Sequence, residues 1–517
     1  MIPVLLSSAP IVLILILMVG YRWSATRAGA AGYLSAIGIA SLFFGATPTL
    51  IGYAQLKALF YSLDVLLIIW SAFFLYRVVD EAGAIRTIGL ALPRLTTDRS
   101  LQALIIGWVF ASFLQGVGGF GVPVAVTSPL LISLGFSPLA AVVIPSLGHG
   151  WAVTFGSMGS SFQALLTTSG LPATVLAPPA ALFLGLSCPV IGFAIAHSIG
   201  GSAEVRRLMY PILTWGVIMA SVQYIVVVSG LWYLGSFIGG MAGLLITPVL
   251  TYRFIRKLNC QPITIKDGSS DPGPNANQLI IALSGYLILI TITLLVQLIP
   301  ALKRFFGQVT IQVYFPEIIS ASGFFTPAGA GRGINLFGHT GSLLIYSAVL
   351  AFLFYHASGL YRPGALKNIL DGTLRRVMPS SVSILSMISM ALIMEHTGMT
   401  QTLAGGLAHA TGALFPLVSP WIGALGAFMT GSNTNSNVIF TRLQMQTAEL
   451  LGYSLPIILA AQTAGAALAS VIAPAKVVVG ASTAGMTGKE GEVIRRLAGY
   501  TALILLLISL LTLLLAR

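Results

Sequence analysis

Charge is what this chain has least of. Charged residues make up 8% of its 517 positions, and only 13 of them are Asp or Glu. With a mean hydropathy of +0.94, a soluble fold is excluded, because no soluble core absorbs that much apolar surface. Cysteine is scarce as well. Cys188 and Cys260 stand far apart and make neither a metal-ligand spacing nor a disulfide framework. Cys188 lies in an apolar run and reads as packing. No His/Asp/Cys metal cluster and no nucleophile–base arrangement occurs within the apolar runs, so no enzyme, cofactor or metal is expected. The net charge of +13 does not indicate a nucleic-acid partner. The basic residues fall in short loops between apolar runs, and no separate basic domain carries them.

What remains is a membrane chain, 56% hydrophobic. Full spans are expected near 3–20, 28–46, 62–79, 138–156, 172–197, 209–229, 231–252, 279–300, 340–358, 379–395, 453–475 and 497–516. Two further segments, 101–135 and 411–451, each hold two apolar arms around a small or polar tip, and each reads as a re-entrant hairpin. The fold class is therefore all-α and polytopic, with about 12 spanning helices plus two re-entrant helical hairpins. Met1 to Gly20 lacks a basic leader and is followed by Arg22 and Arg27, so it reads as a retained first span.

The basic clusters at 22–27, 77–99, 206–207, 253–266, 362–376 and 489–496 all fall on one side in this layout, whereas Lys303, Arg304 and Arg332 fall on the other. By the positive-inside rule the first side is cytoplasmic, which places both termini outside a plasma (inner) membrane. The linker 253–278, with its Asp267-Gly268-Ser269-Ser270-Asp271-Pro272 turn chemistry, divides the spans.

The chain also resembles itself. Asp80, Gly83 and Thr87 match Glu395, Gly398 and Thr402 at an offset of 315, and Leu134-Gly135-Phe136-Ser137 matches Leu451-Gly452-Tyr453-Ser454 at 317. The charge layout runs the two blocks in opposite directions, as inverted repeats do in secondary transporters. The organisation is thus scaffold spans over 1–60, a first repeat over 61–200, scaffold spans over 201–375, a second repeat over 376–496 and a last span over 497–517.

The hairpin tips carry the chemistry. Gly431-Ser432-Asn433-Thr434-Asn435-Ser436-Asn437 puts seven small or polar residues between apolar arms. Such groups at membrane depth line a cavity or are buried in protein. The other tip, Gln115 to Gly121, is rich in glycine, and Pro123 suits the first turn of the helix that follows. Each tip starts a helix whose N–H groups and positive dipole end suit a small anion. Candidate substrate-binding residues are Gly118, Gly119, Phe120, Gly121, Val122, Ser432, Asn433, Thr434, Asn435, Asn437, Arg442 and Gln462. Arg442 either meets the substrate or faces an external vestibule or Glu449. His149, at the expected break Pro145-Ser146-Leu147-Gly148-His149-Gly150, is the proton-coupling candidate. Asp64 and Lys476 read as interfacial, and Glu395, His396 and His356 as solvated span ends.

The segments Gly119-Phe120-Gly121-Val122-Pro123-Val124-Ala125, Phe155-Gly156, Gly431-Ser432-Asn433-Thr434, Leu443-Gln444 and Gly488-Lys489-Glu490-Gly491 resemble the lactate permease family of 2-hydroxymonocarboxylate transporters. The resemblance implies a secondary transporter that imports lactate or glycolate with protons. The triplet Ser432-Asn433-Thr434 is also similar to the carboxylate-binding tips of a broader superfamily of elevator transporters. Another organic anion, or sodium in place of the proton, stands as the alternative. The partners implied are the anion, the co-transported ion and membrane lipids, and assembly of several copies is left open. The family pattern has an acid where this chain has Gln115, an aspartate where it has Asn433, and a lysine where it has Ser470. Neutral amides do not titrate, so either another group such as His149 carries the proton, or the coupling or substrate has changed.

Overall fold

A computed structural model describes residues 2–119, 121–258, 274–331 and 333–517, with the backbone alone over 254–258. Phe120, Cys260, Lys266, Arg332 and most of the linker 253–278 lie outside the described residues. Those that are described form a helical protein with ten stretches long and apolar enough to cross a membrane. One of these, Ala173–Arg253, covers three successive expected spans. It is broken at Gly200–Gly201 and again at Gly230, where φ reaches 67° and 88°.

Each of the two expected hairpin segments folds as a pair of helices packed together. In the first, a fully buried arm, Arg99–Val117, packs against the shorter Val122–Ser133. Its base is closed by charge. Asp98 caps the entering arm by accepting from Ser100 N and Leu101 N, both at 3.0 Å. It also accepts from Arg207, at 2.5 Å to one oxygen and 3.1 Å to the other, and Arg207 in turn holds Glu204. Burial acts to raise the Asp98 pKa, but the Arg207 hydrogen bonds and the two N–H donors outweigh it and hold the carboxyl below its usual value. Arg99 donates to the carbonyls of Leu134 and Gly135 and lies 5.1 Å over the Phe136 ring, which accounts for the Leu-Gly-aromatic motif. The second hairpin, Phe415–Thr430 with Asn433–Leu451, is tied at its base by the Tyr453 hydroxyl donating to Ala413 O at 3.2 Å.

A broken helix follows each hairpin. After the first come Pro138–Gly148, an irregular stretch, and Ser160–Ser169. After the second come Leu455–Ala469, a short tight turn, and Pro474–Thr483. An interior proline, Pro145, and a run of residues with positive φ (Ser157, Met158, Gly159) end the regular ladder in the first case.

Two helices are longer than hydropathy indicates. Pro48–Glu81 begins with Thr47 as its cap and Pro48 in its first turn, and Ala365–His396 begins at Gly364. As a consequence Asp64 is mid-helix and 2% exposed rather than interfacial, and His396 is fully buried rather than solvated. Packed together, these two helices and Ala25–Phe43 form a second apolar core beside the one that holds the first hairpin.

Six short strands within 310–335 make a β-ribbon. Thr310–Ile311 pairs with Ile334–Asn335, Tyr314–Phe315 with Gly329–Ala330, and Ile318–Ile319 with Phe325–Thr326. Its end docks on the helices, through Ala321 N to Gly45 O at 2.8 Å and Thr326 Oγ1 to the His396 ring at 3.2 Å.

Candidate functional site

At the second tip the chain turns in two residues. Gly431 takes φ 69°, which L side chains rarely adopt, and ends the entering arm. Ser432 then caps the returning helix, its hydroxyl accepting from Asn435 N at 3.3 Å. The helix expected to start after this tip therefore begins within the polar run itself, at Asn433.

Most of its amides point into protein. Asn433 donates to Thr154 Oγ1 at 3.0 Å, and Asn437 donates to Ser161 O at 2.9 Å and Thr463 Oγ1 at 3.0 Å. The Thr434 and Ser161 hydroxyls are 3.0 Å apart. Gln462 donates to Asn437 Oδ1 at 3.3 Å and Thr441 Oγ1 at 3.2 Å. All of these side chains are buried. Together they join the returning arm to both broken helices, and each such bond is worth about 1 kcal/mol net.

Ser432 and Asn435 face the other way, into a cavity of about 380 Å³. This lies within the usual range for small-molecule sites, about 300–1,000 Å³. Its walls carry Arg375, Arg376 and Lys476, the hydroxyls of Thr26, Ser380, Ser383 and Thr430, and, among the described residues, no acid. Two helix N-termini edge it, that of Asn433–Leu451 and that of Pro474–Thr483, whose Ala475 and Lys476 are both in the wall. First-turn N–H groups lack intrahelical partners and carry positive partial charge. Lys476 Nζ donates to Ser470 Oγ at 2.9 Å, holding the ammonium beside the break. Such an arrangement attracts and orients a small anion.

The first tip opens on an adjoining cavity of about 490 Å³ lined by Gly121, Val122, Tyr76, Arg77, Arg375, Arg376 and Val479. Arg77 is paired with Asp80 at 2.9 Å and Glu81 at 3.3 Å, and Arg375 and Arg376 line both cavities. Gly118 and Gly119 are packing positions. A Cβ on Gly119 would stand 1.7 Å from Ser157 Oγ, and Ser157 N and Met158 N donate to the Gln115 and Gly116 carbonyls at 2.8 and 3.0 Å. Both tips rest on Pro474–Thr483, Gly431 against Ala475 and Gly121 against Val479.

Arg442 lies away from these cavities. It pairs with Glu395 at 3.3 Å, rather than with Glu449, beside a void of about 10 Å³ edged by Tyr61, Ile388 and Val438. Lys57 and His396 adjoin, with Nζ and Nε2 3.4 Å apart. His149 is 1% exposed at the first break, and its Nδ1 is 2.6 Å from Pro145 O. Sequence reasoning thus found Ser432, Asn435, Gly121 and Val122 but missed Lys476, Arg375 and Arg376 as cavity residues.

The family model described as L-lactate permease matches residues 3–517. An L-lactate permease of Salmonella typhimurium is 26% identical, over 95% of this chain and 92% of its own length. The glycolate permease GlcA of Escherichia coli is 28% identical, over 86% of this chain and 83% of its own. Among solved structures, the YdaH transporter of Alcanivorax borkumensis aligns over 99% of this chain and 97% of its own, with a TM-score of 0.49 and 15% identity.

Proposed function

Because the chain belongs to the L-lactate permease family, we propose that it is a secondary transporter that carries a small 2-hydroxy monocarboxylate, lactate or glycolate, inward with a proton. The observation that carries this reading is the cavity at Ser432, Asn435 and Lys476, lined among the described residues by three cations, no acid and two helix N-termini. The carboxylate binds Lys476 and the N–H groups at the starts of the two helices, and the 2-hydroxyl pairs with Ser432 or Asn435. Asn433, Thr434, Asn437 and Gln462 hold that geometry from behind. The first tip, at Gly121 and Val122, supplies the neighbouring wall.

Arg375 and Arg376 belong to a cluster that the charge rule places in the cytoplasm, so the proposed state is inward-facing, with the outer path closed at Arg442 and Glu395. Inverted repeats and an elevator displacement of the hairpins would then exchange the two. Uptake of labelled lactate into proteoliposomes tests this, with a pH gradient, a sodium gradient, or neither. Acceleration by an inside-alkaline gradient is expected, and uptake indifferent to pH but driven by sodium would select the alternative. Asn435→Ala is expected to weaken lactate binding while the protein still inserts and folds; unchanged affinity would remove Asn435 from the site.

A further inference from the structure

Glu395 and Arg442 meet at the far end of the seam that begins at the proposed substrate cavity. Arg376 and Glu395 lie nineteen residues apart on Ala365–His396, about 28 Å along its axis. That is close to the thickness of a hydrocarbon core, about 30 Å. The charge rule that puts Arg376 in the cytoplasm therefore puts Glu395 at the outer face. Arg442 is on the returning arm of the second hairpin, seven residues or about 10 Å beyond Asn435. Positions seven apart share a helix face, and both side chains turn to the same neighbour. Asn435 Nδ2 donates to Ser383 Oγ at 3.1 Å, and Arg442 stands 3.3 Å from Glu395.

This seam has a space at each end. Ser383 and Ile384 wall the inner cavity, whereas Ile388 and Val438 wall the outer void of about 10 Å³. Ile384 and Ile388 are one helix turn apart, so a short apolar step separates the two spaces. The outer void has room for about one water molecule. A monocarboxylate enters there only when Glu395 and Arg442 part.

Charge at the outer end is unbalanced. The Lys57 ammonium can only donate, so His396 Nε2, 3.4 Å away, accepts. The ring hydrogen then sits on Nδ1, toward Thr326 Oγ1 at 3.2 Å, and the imidazole is neutral. Lys57 also lies 5.8–5.9 Å from the ring centres of Tyr53, Tyr61 and Phe315. Among the described residues, two cations thus act on one carboxylate, Glu395. The ion pair itself is a single contact out of hydrogen-bond alignment: neither Arg442 Nε nor Glu395 Oε2 has a hydrogen bond among the described residues. A free carboxylate is able to take both prongs of a guanidinium, which is the stronger arrangement.

We propose that Arg442 is an outer binding site for the carboxylate of the substrate, and that Glu395 is the built-in carboxylate it displaces. One monocarboxylate anion takes the place of Glu395 on the guanidinium. Glu395 turns to Lys57, so two cations then face two carboxylates and no buried charge is left without a partner. Arg442 belongs to the hairpin and Glu395 to the long helix beside it. The exchange therefore unties the hairpin at its outer end and starts the anion along the seam toward Asn435. This rests on the reading of the chain as a carrier whose cavity at Ser432 faces the cytoplasm.

The test measures exchange of labelled lactate in right-side-out and in inverted membrane vesicles that hold the full-length protein, so that KM is read at each face. Arg442→Gln is expected to raise the outer KM by about tenfold and with it the ratio of outer to inner KM. Arg442→Lys, which keeps the charge without the fork, is expected to recover part of that loss. Glu395→Gln removes the competitor and is expected to lower the outer KM by about threefold or more. Both substitutions break the same ion pair, so a merely structural pair predicts shifts of the same sign. Shifts of the same sign, or equal shifts at the two faces, would overturn the proposal. If Arg442→Gln does not fold, Glu395→Gln decides alone, and an outer KM that is unchanged or raised counts against the site. A folded wild type that exchanges no lactate in either orientation refutes the carrier reading itself. An inner KM unmoved by Lys476→Gln refutes the inner cavity, and both results are distinct from a failure at Arg442.

Discussion

Replacing Lys476 by glutamine removes the ammonium that stands beside the helix break and faces Ser432 and Asn435 across the cavity. Two opposite unit charges about 4 Å apart attract by about 4 kcal/mol at an effective dielectric constant of about 20. The cavity admits water, and Arg375 and Arg376 supply part of the same field. The net loss is then closer to that of one charge-assisted hydrogen bond, about 1.5–3 kcal/mol. At about 1.4 kcal/mol per tenfold, lactate affinity should fall by about 10- to 150-fold. Glutamine still donates to Ser470, so the half-helix keeps its anchor and thermal stability changes little. Calorimetric titration of lactate in detergent, at low and high salt, reads this directly. Lys476→Arg should recover most of the affinity, and the salt dependence of binding should be smaller in Lys476→Gln. An affinity within twofold of wild type would refute the assignment of Lys476 as the carboxylate's partner.

Asn437→Ala strips the Ser161, Thr463 and Gln462 bonds together. It should destabilise the protein by about 1–3 kcal/mol, seen as a lower melting temperature, because buried partners are left unpaired. Arg442→Gln leaves Glu395 without its ion pair. Discounted for partial exposure, the cost is about 1–2 kcal/mol, and adding Glu395→Gln should return most of it in a double-mutant cycle. At Asp98 the folded-state pKa is depressed from 3.8, so its stabilisation is complete above that value and is lost as the pH falls through the lower folded one. The stability gap between wild type and Asp98→Asn should therefore be constant near neutrality and close only below pH 3.8, measured by urea or thermal unfolding; a gap that closes near pH 6 would point to another group.

The hairpins and their turns were legible because local chemistry dictates them. Glycine at 431 and 121 permits a positive φ, Ser432 is a strong cap, and Pro123 sits in a first turn. Asp64 was misplaced for a physical reason. Gln55 and Lys57 interrupt the apolar run, so hydropathy begins a span at 62 with Asp64 near its end, whereas capping at Thr47 and Pro48 starts the helix fourteen residues earlier. Lys476 and the Arg375–Arg376 pair are about a hundred residues apart, and each alone looks like an ordinary loop or interfacial cation. Only the fold of Pro474–Thr483 back against the tips brings them to one cavity. The β-ribbon escaped because strands of two residues carry no alternation to read.

Ala475 and Val479 are four residues apart and so lie on one face of their short helix, about 6 Å apart along its axis. Gly431 rests on the first and Gly121 on the second. That half-helix acts as a gauge block. The axial distance between its two contact positions sets the spacing of the two tips, and any ligand that tilts or slides it displaces both at once. Agreement between the two hairpins then needs no relay through the surrounding protein. Bulkier side chains at 475 and 479 should push the tips apart independently, so that the two substitutions affect transport together by more than either does alone.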